Sequence, residues 1–207
     1  MWNELRPLKD LGWVLYGGTA IALRLGHRAS VDFDFFNDGV LHRAALNSAC
    51  SLLASALVLQ ERSDTLTLLV SAHTAAAVKI SFFAGIGFGR TGTPQLTEDG
   101  VAVVASSDDL LAHKLKVLLQ RVETKDYVDI AALIRAGVKL DRALASARAM
   151  YGVAFQPSEA LKALVYFEGG DLQTLTRPVK DALIGAVQSV RDLPEVVVLA
   201  RGLSATV

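Results

Sequence analysis

Residues 16–36 read Tyr16-Gly17-Gly18-Thr19-Ala20-Ile21-Ala22-Leu23-Arg24-Leu25-Gly26-His27-Arg28-Ala29-Ser30-Val31-Asp32-Phe33-Asp34-Phe35-Phe36. The short apolar run Leu11–Tyr16 breaks at the glycine pair, Thr19–Leu25 has a helical pattern, and Gly26 is placed to stop it. Ser30–Phe36 alternates with period two and reads as a strand. Two glycines ahead of a helix let an anion approach the backbone, where unpaired N–H groups and the positive end of the dipole await it. On a strand, residues two apart share a face, so Asp32 and Asp34 project together while Val31, Phe33 and Phe35 project oppositely. Phenylalanines on both sides argue for a buried setting, in which unpaired charge is costly. A divalent cation between the two carboxylates relieves their repulsion, and magnesium prefers one or two carboxylates plus substrate phosphates. Glycine loop, helix and paired aspartates together describe a metal–triphosphate site.

Working outward, Asn37-Asp38-Gly39 is a turn and Leu41 to about Leu57 reads as one alanine- and leucine-rich helix. Short strands are predicted near Val58–Arg62, Thr65–Ser71, Ala77–Phe83 and Val101–Val104. The stretch from Gly85 to Gly100, with five glycines and a proline, reads as a loop free to move. Beyond it the signals are helical: Ser107 to about Arg121 with Asp108 and Asp109 in its first turn, then Thr124 to about Ala136. Leu140–Met150, Ser158–Phe167 and Thr176–Val190 follow, with Pro157 and Pro178 near helix starts, where proline is tolerated. The expected fold is α/β (α+β), a core with a small mixed sheet over residues 1–105 followed by a helical region over 106–207 that closes over a cleft.

The 207 residues carry 21 basic and 21 acidic side chains, so the formal charge is zero. The balance holds along the chain, with 8 basic and 9 acidic residues through Ala105 and 13 and 12 beyond it, so neither half reads as a basic nucleic-acid platform. At 52% hydrophobic and 20% charged, the chain has the material for a core and is not a disordered one. The single cysteine, Cys50, excludes an internal disulfide and a thiolate zinc cluster, and inside an apolar helix it reads as a buried small hydrophobe. The longest uncharged stretch, Ala44–Gln60, contains asparagine, serines and glutamine, so no membrane span is expected and the cytoplasm is the default location.

Helical geometry sorts the cations of the second half. At about 100° per residue, Lys114 and Arg121 share a stripe with Leu110, Val117 and Leu118, while Lys116 falls opposite with His113 and Gln120. Lys114 and Arg121 therefore point toward protein and need counter-charge, from a triphosphate or from Asp126 and Asp129. Both aspartates are open between site and scaffold, since acids near a helix N-terminus are stabilising by about 0.3–1 kcal/mol and Lys125 can pair with Asp129 at i,i+4. His27, His42, His73 and His113 show no metal-ligand spacing and read as structural or surface residues. The Gly85–Gly92 glycines do not fit a Rossmann or Walker plan.

A glycine pair followed by an Asp-x-Asp strand resembles the nucleotidyltransferase superfamily of the DNA polymerase β type. The full string from Tyr16 to Phe36 resembles the AbiEii/AbiGii toxin family more specifically. Lys114, Arg121, Lys125, Asp126 and Asp129 match that family's later Lys, Arg and Lys/Arg-Asp-x-x-Asp. The resemblance covers Leu15 to Ile134 and implies magnesium- or manganese-dependent transfer of a nucleoside monophosphate from a nucleoside triphosphate (NTP). The implied acceptor is an RNA, with a tRNA 3′ end the first choice, or a protein; the implied partner is a separate antitoxin. Asp32 and Asp34 would hold metal; Gly17, Gly18, Thr19, Arg28, Ser30, Lys79 and Lys114 would bind nucleotide. Lys114 and Asp126 would join the two aspartates in catalysis. One departure stands out: superfamily members usually carry a third carboxylate on a later strand, and the matching position in Val78–Phe83 is Ser81. A substitute from Asp126 or Asp129, a single metal, and an inactive nucleotide- or partner-binding module are all open at this point.

Overall fold

The computed structural model describes residues 1–71 and 77–204. His73 lies outside the described residues. The chain opens with a 3₁₀ helix, Trp2–Leu8, followed by β1 (Val14–Tyr16), α1 (Gly17–Leu25) and β2 (Phe33–Phe36). Gly26 closes α1 in the left-handed conformation, at φ 60°, as a C-terminal glycine should. Next come α2 (Arg43–Ala49), α3 (Ser51–Ala54), β3 (Leu57–Glu61), β4 (Thr65–Val70), β5 (Val78–Phe83), β6 (Gln95–Leu96) and β7 (Val103–Val104). The rest is helical: α4 (Ser107–Leu118), α5 (Thr124–Arg135), α6 (Leu140–Tyr151), α7 (Pro157–Val165) and α8 (Arg177–Ser189).

The seven strands form one mixed sheet in the order β3-β4-β5-β2-β1-β7-β6. At its centre β2 runs antiparallel to β1 and parallel to β5, which sets Asp34 opposite Tyr16 on one side and Ser81 on the other. Strand alternation then divides β2. Phe35 stacks on Phe82 at 5.7 Å, while Asp34 and Phe36 face the helical half, where α4 lays His113 against Phe36 at 5.1 Å. One hydrophobic core runs through both halves, from Leu15 and Phe35 to Leu115, Leu144 and Leu164. Among the described residues, no helix is long and apolar enough to cross a membrane.

Four sequence expectations change. The helix expected over Leu41–Leu57 breaks at Cys50, whose extended backbone (φ −130°, ψ 94°) divides it into α2 and α3, with α3 packing on β4. The strand expected from Ser30 begins at Phe33, so Asp32 sits in the approach to it. The helix expected to reach Arg121 ends at Leu118, and Arg121 lies in the turn beyond. The Gly85–Gly100 loop is held: buried Asp109 accepts hydrogen bonds from the Thr91 N–H and hydroxyl and from the Gly92 N–H, at 2.7–3.0 Å. That loop also meets the segment after α8, which crosses back to the sheet half. Arg90 pairs with Ala200 in an isolated bridge, and the Leu203 N–H donates to Asp38 at 3.0 Å.

Candidate active site

The site forms where the start of α1 meets β2. Gly17 has φ +71°, and a Cβ there would stand 2.4 Å from Asp34 Oδ2. A Cβ on Gly18 would stand 2.3 Å from Arg28 Nη2. The glycine pair therefore makes room for a carboxylate and a guanidinium pressed against the helix mouth, in addition to leaving that mouth open to the cleft. Thr19 does not reach the cleft. It is buried, lies 2.9 Å from Ser30 Oγ and donates to the Asp32 carbonyl, so its hydroxyl fastens the Ser30–Asp32 approach instead of cradling phosphate.

The cleft holds about 450 Å³, within the roughly 300–1,000 Å³ range of small-molecule sites. Gly17, Gly18, Arg28, Ser30, Asp32, Asp34, Lys79, Lys114, Arg121 and Lys125 all line it. Asp32 is 43% exposed and pairs with Lys79 at 3.1 Å. Asp34 is more enclosed: burial raises its carboxyl above the usual range, and although Lys79 pulls it down, Asp32 pushes it up again. Lys114 and Arg121 lower it as well, yet burial leaves the Asp34 carboxyl raised, a direction that a divalent cation reverses. Among the described residues no group of three or more His, Cys, Asp and Glu side chains gathers around a metal position. Two hard oxygen donors fit magnesium or manganese, which fill their remaining positions with water and phosphate oxygens. Ser81, the position where an acid was expected, is directly beside Asp34 in the β2–β5 register. It is buried, with the Thr67 hydroxyl 3.5 Å away.

Behind the cleft wall, α5 supplies a second pair of acids. Asp126 and Asp129 are both 0% exposed, and Lys114 Nζ sits between them at 2.7 Å from each. Arg121 Nε reaches Asp126 at 2.9 Å. Arg28 clasps Asp129 through Nε and Nη2 at 2.6 and 2.9 Å, and His27 Nε2 lies 2.7 Å from the same carboxylate. Burial alone would raise both acids, but the hydrogen bonds from Arg121 and Arg28 and the Lys114 charge hold them below the usual range. Asp126 is therefore the counter-ion of Lys114 and Arg121, and it does not line the cleft, which corrects the expectation of a replacement acid. Lys125 pairs with Glu123 at 2.9 Å, leaving Asp129 to Arg28 and Lys114.

Sequence reasoning missed part of the wall. His113 was expected on the water side of α4, but this helix packs on several neighbours at once, and its imidazole sits among Tyr16, Phe36 and Phe88 while lining the cleft. Phe36, Phe83, Val117 and Gln120 line it as well. The spacing of His113, Val117 and Gln120, four and three residues apart, was the available signal.

The family model described as "Nucleotidyl transferase AbiEii toxin, Type IV TA system" matches residues 4–189. Uncharacterized protein aq_aa25 of Aquifex aeolicus (strain VF5) is 30% identical over 158 residues, covering 74% of this chain and 73% of that protein. Among solved structures, the fold is similar to MenT4, the nucleotidyltransferase toxin Rv2826c of Mycobacterium tuberculosis H37Rv. The TM-score is 0.59 at 14% identity, over 91% of this chain and 82% of that one. An antigenic nucleotidyltransferase-like protein of Paracoccidioides brasiliensis superposes with TM-score 0.53 at 19% identity, over 88% of each chain. With a mixed sheet of the expected kind and a family match across most of its length, the chain belongs to the AbiEii nucleotidyltransferase toxin family.

Proposed function

We propose that the protein transfers a nucleoside monophosphate from an NTP to an RNA, a tRNA 3′ end in the first instance, or to a protein side chain. The reaction belongs to the cytoplasm, and a cognate antitoxin protein restrains it. The observation that carries this reading is the placing of Asp32 and Asp34 at the α1 mouth in one cleft with Lys79, Lys114 and Arg121. In the reaction the acceptor hydroxyl oxygen bonds to the α-phosphorus, the bond to the bridging oxygen breaks, and pyrophosphate leaves as the hydroxyl proton passes to solvent. Asp32 and Asp34 would hold a magnesium or manganese ion, which would supply charge neutralisation at the phosphates. Lys114 is fixed by two buried carboxylates and so presents its charge to the phosphates without reorganising. Lys79 and Arg121 are half-exposed and offset the charge of the departing pyrophosphate.

The test incubates the protein with each α-radiolabelled NTP and total RNA or protein. Label is expected in one acceptor class with magnesium and is expected to vanish with Asp34→Asn. A second reading, a nucleotide- or partner-binding module without transfer, is favoured by Ser81 in the third acid's place. Nucleotide binding with no labelled acceptor in any extract would select it.

A further inference from the structure

We propose that the apolar end of the cleft, built from Phe36, Phe83 and Val117 and edged by His113 and Gln120, receives the nucleobase and selects among bases. This rests on the nucleotide-binding part of the proposed function. A nucleoside triphosphate is itself two-ended, a flat ring system joined to a polyanion, and the cleft has the same division. Asp32, Lys79, Lys114 and Arg121 line it within electrostatic reach of Asp34. Phe36 lies two residues beyond Asp34 on the same strand face, about 6.5 Å along the strand. From there the lining changes from charged to aromatic. Phe36 pairs with Phe83 across the β2–β5 register, their rings edge-to-face at 5.2 Å, and Val117 adds an aliphatic wall. Rings of this kind take a base of any identity by stacking, so selection requires polar groups at the rim.

Two are in place. His113 is held rigid, with Nδ1 2.9 Å from the Tyr151 hydroxyl and its ring against Phe36 and Tyr16. Its Nε2 has no hydrogen-bond partner among the described residues. Burial, with Lys114 adding to it, pushes the imidazolium down to about 4, so near neutral pH the ring offers a hydrogen bond rather than a charge. Gln120 also lines the cleft, three residues on from Val117 and exposed just past α4, with its amide unengaged by any described residue. The Gln120 amide offers both a donor and an acceptor, and the imidazole, with Nδ1 engaged by Tyr151, offers one nitrogen that donates or accepts according to tautomer, chemistry that reads a base edge.

The experiment measures equilibrium binding of ATP, GTP, CTP, UTP and inorganic tripolyphosphate, with magnesium, to the wild type, Gln120→Ala and His113→Phe. The wild type is expected to bind its best NTP about tenfold or more tighter than its worst. Each variant should compress that spread about fivefold or more while changing tripolyphosphate affinity by less than about twofold. A spread that persists in both variants, or tripolyphosphate weakened as much as the NTPs, overturns the assignment. Gln120→Ala decides the matter if His113→Phe does not fold. Because the readout is binding, selective binding without transfer would overturn the transferase reading alone. Transfer without base preference would overturn this inference alone.

Discussion

The protein holds two pairs of closely spaced aspartates, and the fold treats them oppositely. Asp126 and Asp129 are fully buried yet surrounded by Lys114, Arg28, Arg121 and His27, and their carboxyls sit below the usual range. Asp32 pairs with Lys79, but Asp34, though within reach of the Lys79, Lys114 and Arg121 charges, has no ion pair among the described residues, and its carboxyl sits above that range. Burial raises the energy of a carboxylate in both places; what differs is whether cations are in hydrogen-bond contact with it. Where they are, the acids act as scaffold, and where they are not, a carboxylate is left open to a ligand.

The largest effect expected from this contrast is catalytic. Asp34→Asn should lower nucleotidyl transfer on the order of 10³-fold, while its urea midpoint stays equal to or above that of the wild type. An Asp34→Asn protein that unfolds more easily would break the comparison. Asp129→Asn should do the reverse in stability, losing about 3–5 kcal/mol in urea unfolding because Lys114 and Arg28 lose their shared counter-charge. A loss too small to measure would mean that the buried network is not what holds α5 in place.

The acid limb of the stability profile sharpens the same point. Asp126 and Asp129 are lowered in the fold, so their contribution is full above the unfolded value near pH 4 and is lost as pH falls through the folded values. Asp34 is raised, so its contribution is full below about pH 4 and disappears as pH rises through its folded value. Urea midpoints from pH 2 to pH 7 should therefore show a shallower acid limb for Asp129→Asn, and an Asp34→Asn curve that gains on the wild type toward neutral pH. Identical curves for the two variants would remove the distinction. Smallest is Gly17→Ala, expected to lose about 1–2 kcal/mol from the left-handed backbone at φ +71°. Because its Cβ would meet Asp34, transfer should fall further than stability does.

Local chemistry was legible in the sequence, and long-range pairing was not. The glycine pair, the α1 stop at Gly26 and the helices from Ser107 onward follow from short-range patterns that the structure repeats. The Asp-x-Asp motif was visible too, but the fold puts Asp32 ahead of the strand, because the Thr19 hydroxyl draws its carbonyl toward α1. No periodicity shows that Asp129 would be taken by Arg28 and His27 from about a hundred residues away, nor that His113 would be set among Tyr16, Phe36 and Phe88 at the cleft. The place of Ser81 beside Asp34 followed from the family resemblance alone, since a sheet whose order departs from the sequence order leaves no local trace of its neighbours.

The segment after α8 adds a constraint on motion. The helical half departs from the sheet half near residue 105 and is stitched to it again through Arg90–Ala200 and Leu203–Asp38. Together with the apolar core that the two halves share, this second tie resists their separation, and a proteolytic nick between α8 and Ala200 would remove it while leaving every charged side chain of the site in the chain.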